Sequence, residues 1–262
     1  MSIYTFCYLS VFYYIFYMPQ IKKSHEIEKI KQACQITDRI FAKMRKFLDS
    51  SLCSEWLIIT EKQLETWLLA KIKQAGCTPS FHPIIAAWPN AAHPHWKADD
   101  TPLQWFVVID FGVVYQGYMS DMTRTIYVSA GWQTKSWKPK FTGLSDKERQ
   151  FYNLVLRAQL DSMAYIMPGR YCKDAHWVAA TTLGEYNKCF IHSLGHGIGT
   201  IIHEHPRISP KGRWYFKKNM CITVEPGVYI EGNLGIRIED TCLVTEVACI
   251  PLTKSTKKLL YF

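Results

Sequence analysis

At 262 residues, with 48% of them hydrophobic and a net charge of +9, the chain can bury the core of one ordinary globular domain or of two small halves packed together, which excludes a disordered chain. Its lysines bunch at Lys135 to Lys140, Lys211 to Lys218 and Lys254 to Lys258, but no aromatic or Arg-rich recognition motif accompanies them, so they read as solvated faces and no nucleic-acid partner is expected. The nine cysteines are scattered and odd in number, without a close pair of zinc-site spacing, which points to reduced thiols in a cytoplasmic protein and away from a secreted disulfide scaffold.

Met1 to Tyr17 is rich in Tyr, Phe and Ile and carries no charged side chain. It lacks the basic start and small-residue cleavage site of a signal peptide, and its Tyr and Ser interrupt the ~20 apolar residues that a membrane helix needs. Residues 1–20 are therefore read as an aromatic stub, either a terminal strand or what is left of an upstream segment. No membrane attachment is expected, and residues 21–262 are assigned to a single working domain. From Ser24, a plausible N-cap, to about Leu48, the residues His25, Ile27, Ile30, Ala33, Ile36, Ile40 and Met44 recur at helical spacing. A second helix is predicted after Thr60, where Thr60 and Gln63 fit a capping box, running through Leu64, Trp67, Leu68 and Ile72 to Gly76. Trp105 to Asp110 and Gly117 to Val128 read as strands.

The second half repeats that order. Ser145 to Met167 reads as a helix ended by Pro168-Gly169 and Asp174 to Tyr186 as a shorter one, followed by paired strands at Cys221 to Ile230 and Ile236 to Val244. Two helices and a hairpin, twice over, imply an internal structural duplication of class α+β with mainly antiparallel strands.

Four carboxylates stand out on these strands. Asp110 closes the first strand and Asp121 lies on its return, with a turn expected at Gln116-Gly117, so the two are placed as near cross-strand neighbours at roughly 5 Å. Taken alone, that pair fits an ordinary surface hairpin with two solvated aspartates better than a metal site. In the second hairpin Glu225 and Glu239 are centred on Gly232, and each is flanked by Val or Ile, which implies half-buried strands. Acidic side chains in such surroundings need a partner or a metal, and like charges this close repel unless a cation lies between them. His192, His196, His203 and His205 fall within fourteen residues, and glycines on both sides of His196 leave its imidazole unencumbered. Four carboxylates and an imidazole, without thiolates, suit two divalent ions of intermediate hardness such as Mn²⁺, Co²⁺, Fe²⁺ or Zn²⁺. Ligation by His196 further implies that metal affinity weakens on acidification through the histidine range, near about 6.5.

These residues resemble the pita-bread metallopeptidases, the family of methionine aminopeptidase, aminopeptidase P, prolidase and creatinase, over about Ile21 to Lys257. The resemblance implies a pita-bread fold with pseudo-twofold halves and a curved, mainly antiparallel sheet. It also implies that Asp110, Asp121, His196, Glu225 and Glu239 hold two metals, with Asp121 and Glu239 bridging and Glu225 also taking the proton of the attacking water. Ser120-Asp121-Met122-Thr123-Arg124-Thr125 is similar to the Ser-Asp-x-Thr-Arg-Thr of prolidases and aminopeptidases P, and Glu225-Pro-Gly-Val-Tyr229, Gly235-Ile-Arg237-Ile-Glu239-Asp240 and the placement of His192 point to the same Xaa-Pro branch. Asn90-Ala-Ala-His-Pro-His95 resembles the segment whose last His faces the scissile amide. By resemblance, then, His95 assists the leaving nitrogen, His203 stabilises the oxyanion, and Arg237 orients the metal carboxylates.

The implied activity is a metal-dependent hydrolysis of the N-terminal bond of short Xaa-Pro peptides. Methionine aminopeptidase is the alternative, favoured by length and opposed by the motif wording, and a non-catalytic peptide- or protein-binding module that keeps the fold is the reading from another class. Most Xaa-Pro peptidases carry a further N-terminal domain that covers the site and contributes to dimerisation. Residues 1–20 hold at most a stub of it, and a homodimer is compatible with the resemblance.

Overall fold

The helical spacing from Ser24 is realised as α1 (Ser24–Leu52), one turn longer than the pattern predicts, in a computed structural model that describes residues 18–52, 58–129 and 144–262. The aromatic stretch 1–17 and the lysine run at 135–140 lie outside the described residues. The capping box at Thr60 opens α2 (Glu61–Gln74), with Gln63 N donating to Thr60 Oγ1 at 3.3 Å and Thr60 N to Gln63 Oε1 at 3.0 Å. A second box, Ser145 with Glu148, opens α3 (Asp146–Tyr165), which stops before Pro168-Gly169 as expected. The fourth helix, α4 (Cys172–Leu183), begins two residues before its predicted start, and Tyr186 falls in the 3-10 turn Gly184–Cys189 that follows it. Because the Ser145 side chain is exposed and bonds only to Glu148, Ser145→Ala is expected to cost about 1 kcal/mol of stability. Chemical unfolding followed by circular dichroism checks this, and an unchanged midpoint would mean that the cap does not form in solution.

Helices of each half cover the outer face of antiparallel strands. The first half contains β1 (Thr78–Pro79), β2 (Ile84–Ala86), β3 (Trp105–Phe111), β4 (Val113–Tyr115), β5 (Tyr118–Met119) and β6 (Met122–Val128). The second contains β7 (Gly195–Gly197), β8 (Glu204–Ile208), β9 (Cys221–Val224), β10 (Gly227–Ile230), β11 (Leu234–Arg237), β12 (Asp240–Val244) and β13 (Cys249–Pro251). The main sheets run β2-β3-β6 and β13-β12-β9-β7-β8, with smaller ones β1-β4-β5 and β10-β11.

Alternation along these strands decides what meets the helices and what meets the site. On β3, Val107, Ile109 and Phe111 pack with Ile40, Met44, Leu64 and Leu68 of α1 and α2, which leaves Asp110 on the opposite face. In the second half Ile222, Val224, Ile236, Ile238 and Cys242 pack with Tyr152, Val155, Ala175 and Leu183 of α3 and α4, and the odd-numbered residues Thr223, Glu225, Arg237, Glu239 and Thr241 alternate with them.

Register agrees with expectation in one hairpin and corrects it in the other. Gly227 faces Arg237 and Val224 faces Asp240, so Glu225 and Glu239 stand across from one another about the Gly232 turn. In the first hairpin the turn does fall at Gln116-Gly117, both with positive φ, and Tyr115 pairs with Tyr118. That register sets Asp110 opposite Thr123, so Asp121 is a diagonal neighbour of Asp110 and not its direct cross-strand partner. No helix among the described residues is long and apolar enough to cross a membrane.

Candidate metal centre

Asp110 arrives near the end of β3, Asp121 just before β6, His196 on β7, Glu225 between β9 and β10, and Glu239 between β11 and β12. All five line one cavity of about 520 Å³. His196 Nε2 lies 3.7 Å from Asp121 Oδ2 and 3.3 Å from Glu225 Oε1. Asp121, His196 and Glu239 each present a ligand atom within 4.8 Å of the others. Glycine makes this approach available at β7, where a Cβ on Gly195 would fall 2.0 Å from the Thr223 carbonyl oxygen.

Whether a cation suits this arrangement can be judged from the polar atoms themselves. Asp110 Oδ1 and Asp121 Oδ1 are buried without a hydrogen-bond partner, a costly condition for a carboxylate oxygen that a divalent ion would relieve. Burial and then the neighbouring carboxylates push Asp121 and Glu239 well above the usual carboxylate range. Burial also raises Glu225, to about 8, against the pull of Arg237. His196 is set up as a neutral ligand. Its Nδ1 faces the Gly197 carbonyl oxygen at 3.0 Å and must donate to it, so Nε2 carries the lone pair and points at the carboxylates. Burial, with His203 adding to it, holds its pKa down at about 3. Hard oxygen donors with one imidazole fit divalent metal.

Arg237 ties the walls together. Its Nη2 donates to Asp110 Oδ2 at 2.8 Å and its Nε to Thr123 Oγ1 at 3.1 Å, and Thr123 Oγ1 donates in turn to Glu239 Oε2 at 2.7 Å. His192 lines the cavity, but its nitrogens are taken. Nδ1 donates to Ser193 O at 2.8 Å, leaving Nε2 to accept from Tyr229 OH at 2.9 Å, while the Tyr229 oxygen accepts from Arg237 Nη1 at 2.7 Å. Burial raises Tyr229 to about 12 and lowers His192 to about 3, so this chain keeps its protons in that order at neutral pH. His192 thereby braces Arg237. His95 and His203 both line the cavity with exposed side chains, and the His203 ring meets that of His196 edge to face at 4.4 Å. Burial, then Arg207 and His95, push His203 below its usual value.

Sequence reasoning assigned no role to Tyr229, Thr123, Thr223 or Thr241, although each belongs to this network. Thr223 Oγ1 accepts from His196 N at 3.1 Å and donates to Glu225 Oε1 at 3.1 Å, and Thr241 Oγ1 both accepts from Asp121 N and donates to Asp121 O. The available signal was the period of two. Thr123, Thr223 and Thr241 each stand two positions from a carboxylate of the site, as Arg237 does, and so share its face of the strand.

The Xaa-Pro dipeptidase of Pyrococcus furiosus is 38% identical to this chain over 250 residues, covering 92% of the chain and 65% of the relative. Among solved structures, the prolidase from Pyrococcus furiosus superposes with a TM-score of 0.78 at 35% identity, covering 90% of this chain and 66% of that one. The X-Pro aminopeptidase from Thermotoga maritima gives a TM-score of 0.82 at 32% identity, with 94% and 65% covered. The chain thus spans about 65% of the length of the curated relative it matches. The fold these neighbours share is the pita-bread fold, α+β with antiparallel sheets. Residues 28–246 match the model of metallopeptidase family M24, and the chain belongs to that family.

Proposed function

We propose that this protein is a metal-dependent aminopeptidase that hydrolyses the N-terminal peptide bond of short Xaa-Pro peptides, of Xaa-Pro dipeptidase or aminopeptidase type. The observation that carries this reading is the convergence of Asp110, Asp121, His196, Glu225 and Glu239 on one cavity, with partnerless carboxylate oxygens among them. These five would hold two divalent ions, Mn²⁺ before Co²⁺, Fe²⁺ or Zn²⁺. Metal held there would supply a water of lowered pKa and polarisation of the scissile carbonyl. Glu225, one of the five residues lining the cavity, takes the proton of the attacking water. His203 donates a hydrogen bond to the developing oxyanion, and His95 protonates the leaving nitrogen. Arg237, braced by Tyr229 and His192, keeps Asp110 in its orientation. The preference for proline in the second position rests on the relatives named Xaa-Pro peptidases and on the wording of the motifs, and it sets methionine aminopeptidase aside. The seven free cysteines of the described residues accord with a cytoplasmic site of action, and a homodimer is the assembly proposed.

Metal-free protein supplied with Mn²⁺, Co²⁺, Zn²⁺ or Fe²⁺ singly and given Ala-Pro, Ala-Pro-Ala and Met-Ala-Ser tests the reading. Metal-dependent cleavage of the proline peptides is expected. Cleavage of Met-Ala-Ser alone would transfer the protein to the methionine aminopeptidases, and binding without turnover under every metal would make it a binding module.

A further inference from the structure

Glu61, the first residue of α2, is 0% exposed, and its carboxylate faces no cation among its hydrogen-bond donors. Instead Oε1 accepts from Ala87 N at 2.7 Å and Asn90 Nδ2 at 3.1 Å, and Oε2 from Trp96 Nε1 at 2.8 Å and Asp99 N at 3.1 Å. All four donors belong to the segment 87–99, which carries His95 into the cavity. The opposite side of that segment rests on β11, where a Cβ on Gly235 would fall 1.6 Å from the Ala91 carbonyl oxygen, and Pro94 O accepts from Arg237 Nη1 at 3.4 Å.

We propose that Glu61 is a positioning residue for the reaction: its buried carboxylate clamps the segment 87–99 so that His95 is held at the leaving nitrogen. The inference rests on the role of His95 stated above. A buried carboxylate without a cation is costly, and an apolar side chain would fill the same space. What only a carboxylate supplies is two acceptor oxygens for two pairs of donors, one pair on each side of His95 in sequence. Trp96 adjoins His95 directly, so its indole bond to Oε2 sets the backbone from which the imidazole projects. Glutamine cannot do the same, because its amide nitrogen would confront one donor pair with a third N–H group.

The test is a double-mutant cycle on Ala-Pro-Ala turnover at saturating Mn²⁺, using wild type, Glu61→Gln, His95→Ala and the double variant, with hydrogen exchange of the metal-free proteins alongside. Glu61→Gln is expected to lower kcat about 10- to 100-fold with KM and metal content little changed, the size of effect that misplacing a reacting group produces. In the His95→Ala background the same substitution should cost less than about twofold, because it acts through a side chain already removed. Exchange should quicken across 87–99 while α1 and β3 stay protected. Should Glu61→Gln unfold the protein, Trp96→Phe removes one donor at nearly constant shape and is expected to show a smaller loss with the same non-additivity. Multiplicative losses, or unchanged kcat with protection intact, overturn the inference and leave the role of His95 standing. An unchanged kcat in His95→Ala overturns that role and the inference with it, whatever exchange shows at 87–99.

Discussion

Asp121→Asn is expected to abolish hydrolysis of Ala-Pro-Ala, by more than roughly 10³-fold, whereas His203→Ala leaves it measurable after a loss of ~10²- to 10³-fold, the usual cost of one oxyanion donor. The difference follows from what surrounds each group. Asp121 is buried with its Oδ1 partnerless, and its Oδ2 lies 3.7 Å from His196 Nε2. An amide in its place removes the charge proposed to bridge two ions and directs an N–H group into a cluster built of acceptors. Thr241 holds its backbone in place through both the N–H and the carbonyl oxygen. His203 lines the cavity with an exposed side chain and meets His196 only edge to face. Metal content and turnover at saturating Mn²⁺, measured for both variants beside wild type, decide the matter. Greater activity in Asp121→Asn than in His203→Ala, or loss of metal from His203→Ala, would reverse the two assignments.

Metal affinity is expected to fall at least about tenfold for each pH unit below about 8, more steeply where more than one carboxylate gives up a proton, with proton release on binding at pH 7. The sequence alone implies a dependence centred on the histidine range, and burial in the structure moves the expected proton uptake to the carboxylates. Burial holds His196 neutral down to about pH 3, so nothing is left for it to titrate near 6.5. The protons belong to the carboxylates. Burial raises Glu225 to about 8, and burial with mutual repulsion raises Asp121 and Glu239 as well. A cation must displace these protons, so it binds more weakly as pH falls.

Stability follows the same groups with a definite sign. Between the ordinary glutamate value of 4.5 and about 8, the folded metal-free protein keeps a proton on Glu225 that the unfolded chain has lost. Its stability should therefore decline as pH rises through that window, and added metal should raise Tm more at pH 8 than at pH 5. Calorimetric titration of Mn²⁺ between pH 6 and pH 9 measures affinity and proton release, and thermal unfolding with and without Mn²⁺ at pH 5 and pH 8 measures the change in Tm. Constant affinity without proton release would mean that the carboxylates are already ionised before metal arrives.

Local chemistry accounts for much of what was legible in advance. The start of α2 was visible because Thr60 with Gln63 satisfies backbone N–H groups through a neighbour three residues away, whereas the matching box of Ser145 with Glu148 emerged only with the structure. Strands were visible as runs of β-forming residues, and centring the second hairpin on Gly232 set Glu225 and Glu239 across from one another, as the register has them. The register of the first hairpin was missed by one position on each strand. A two-residue turn at Gln116-Gly117 pairs Tyr115 with Tyr118 and carries Asp110 to Thr123, whereas centring the hairpin on the two aspartates sets them directly opposite.

The sequence by itself determined which residues could be ligands and which face of its own strand each one occupies, because periodicity is a property of a few consecutive residues. Only the tertiary structure decided which faces meet. The bonds that assemble the site join positions more than a hundred residues apart: Arg237 to Asp110, Thr123 to Glu239, and the Thr125 hydroxyl to the backbone of Arg237. The same holds nearer by, where a glutamate that opens a helix proves to hold the loop of His95. Nothing in the spacing of one segment encodes its partner across the fold, since that choice is made when the two halves bury their apolar faces under their own helices and are left with the polar faces turned toward each other.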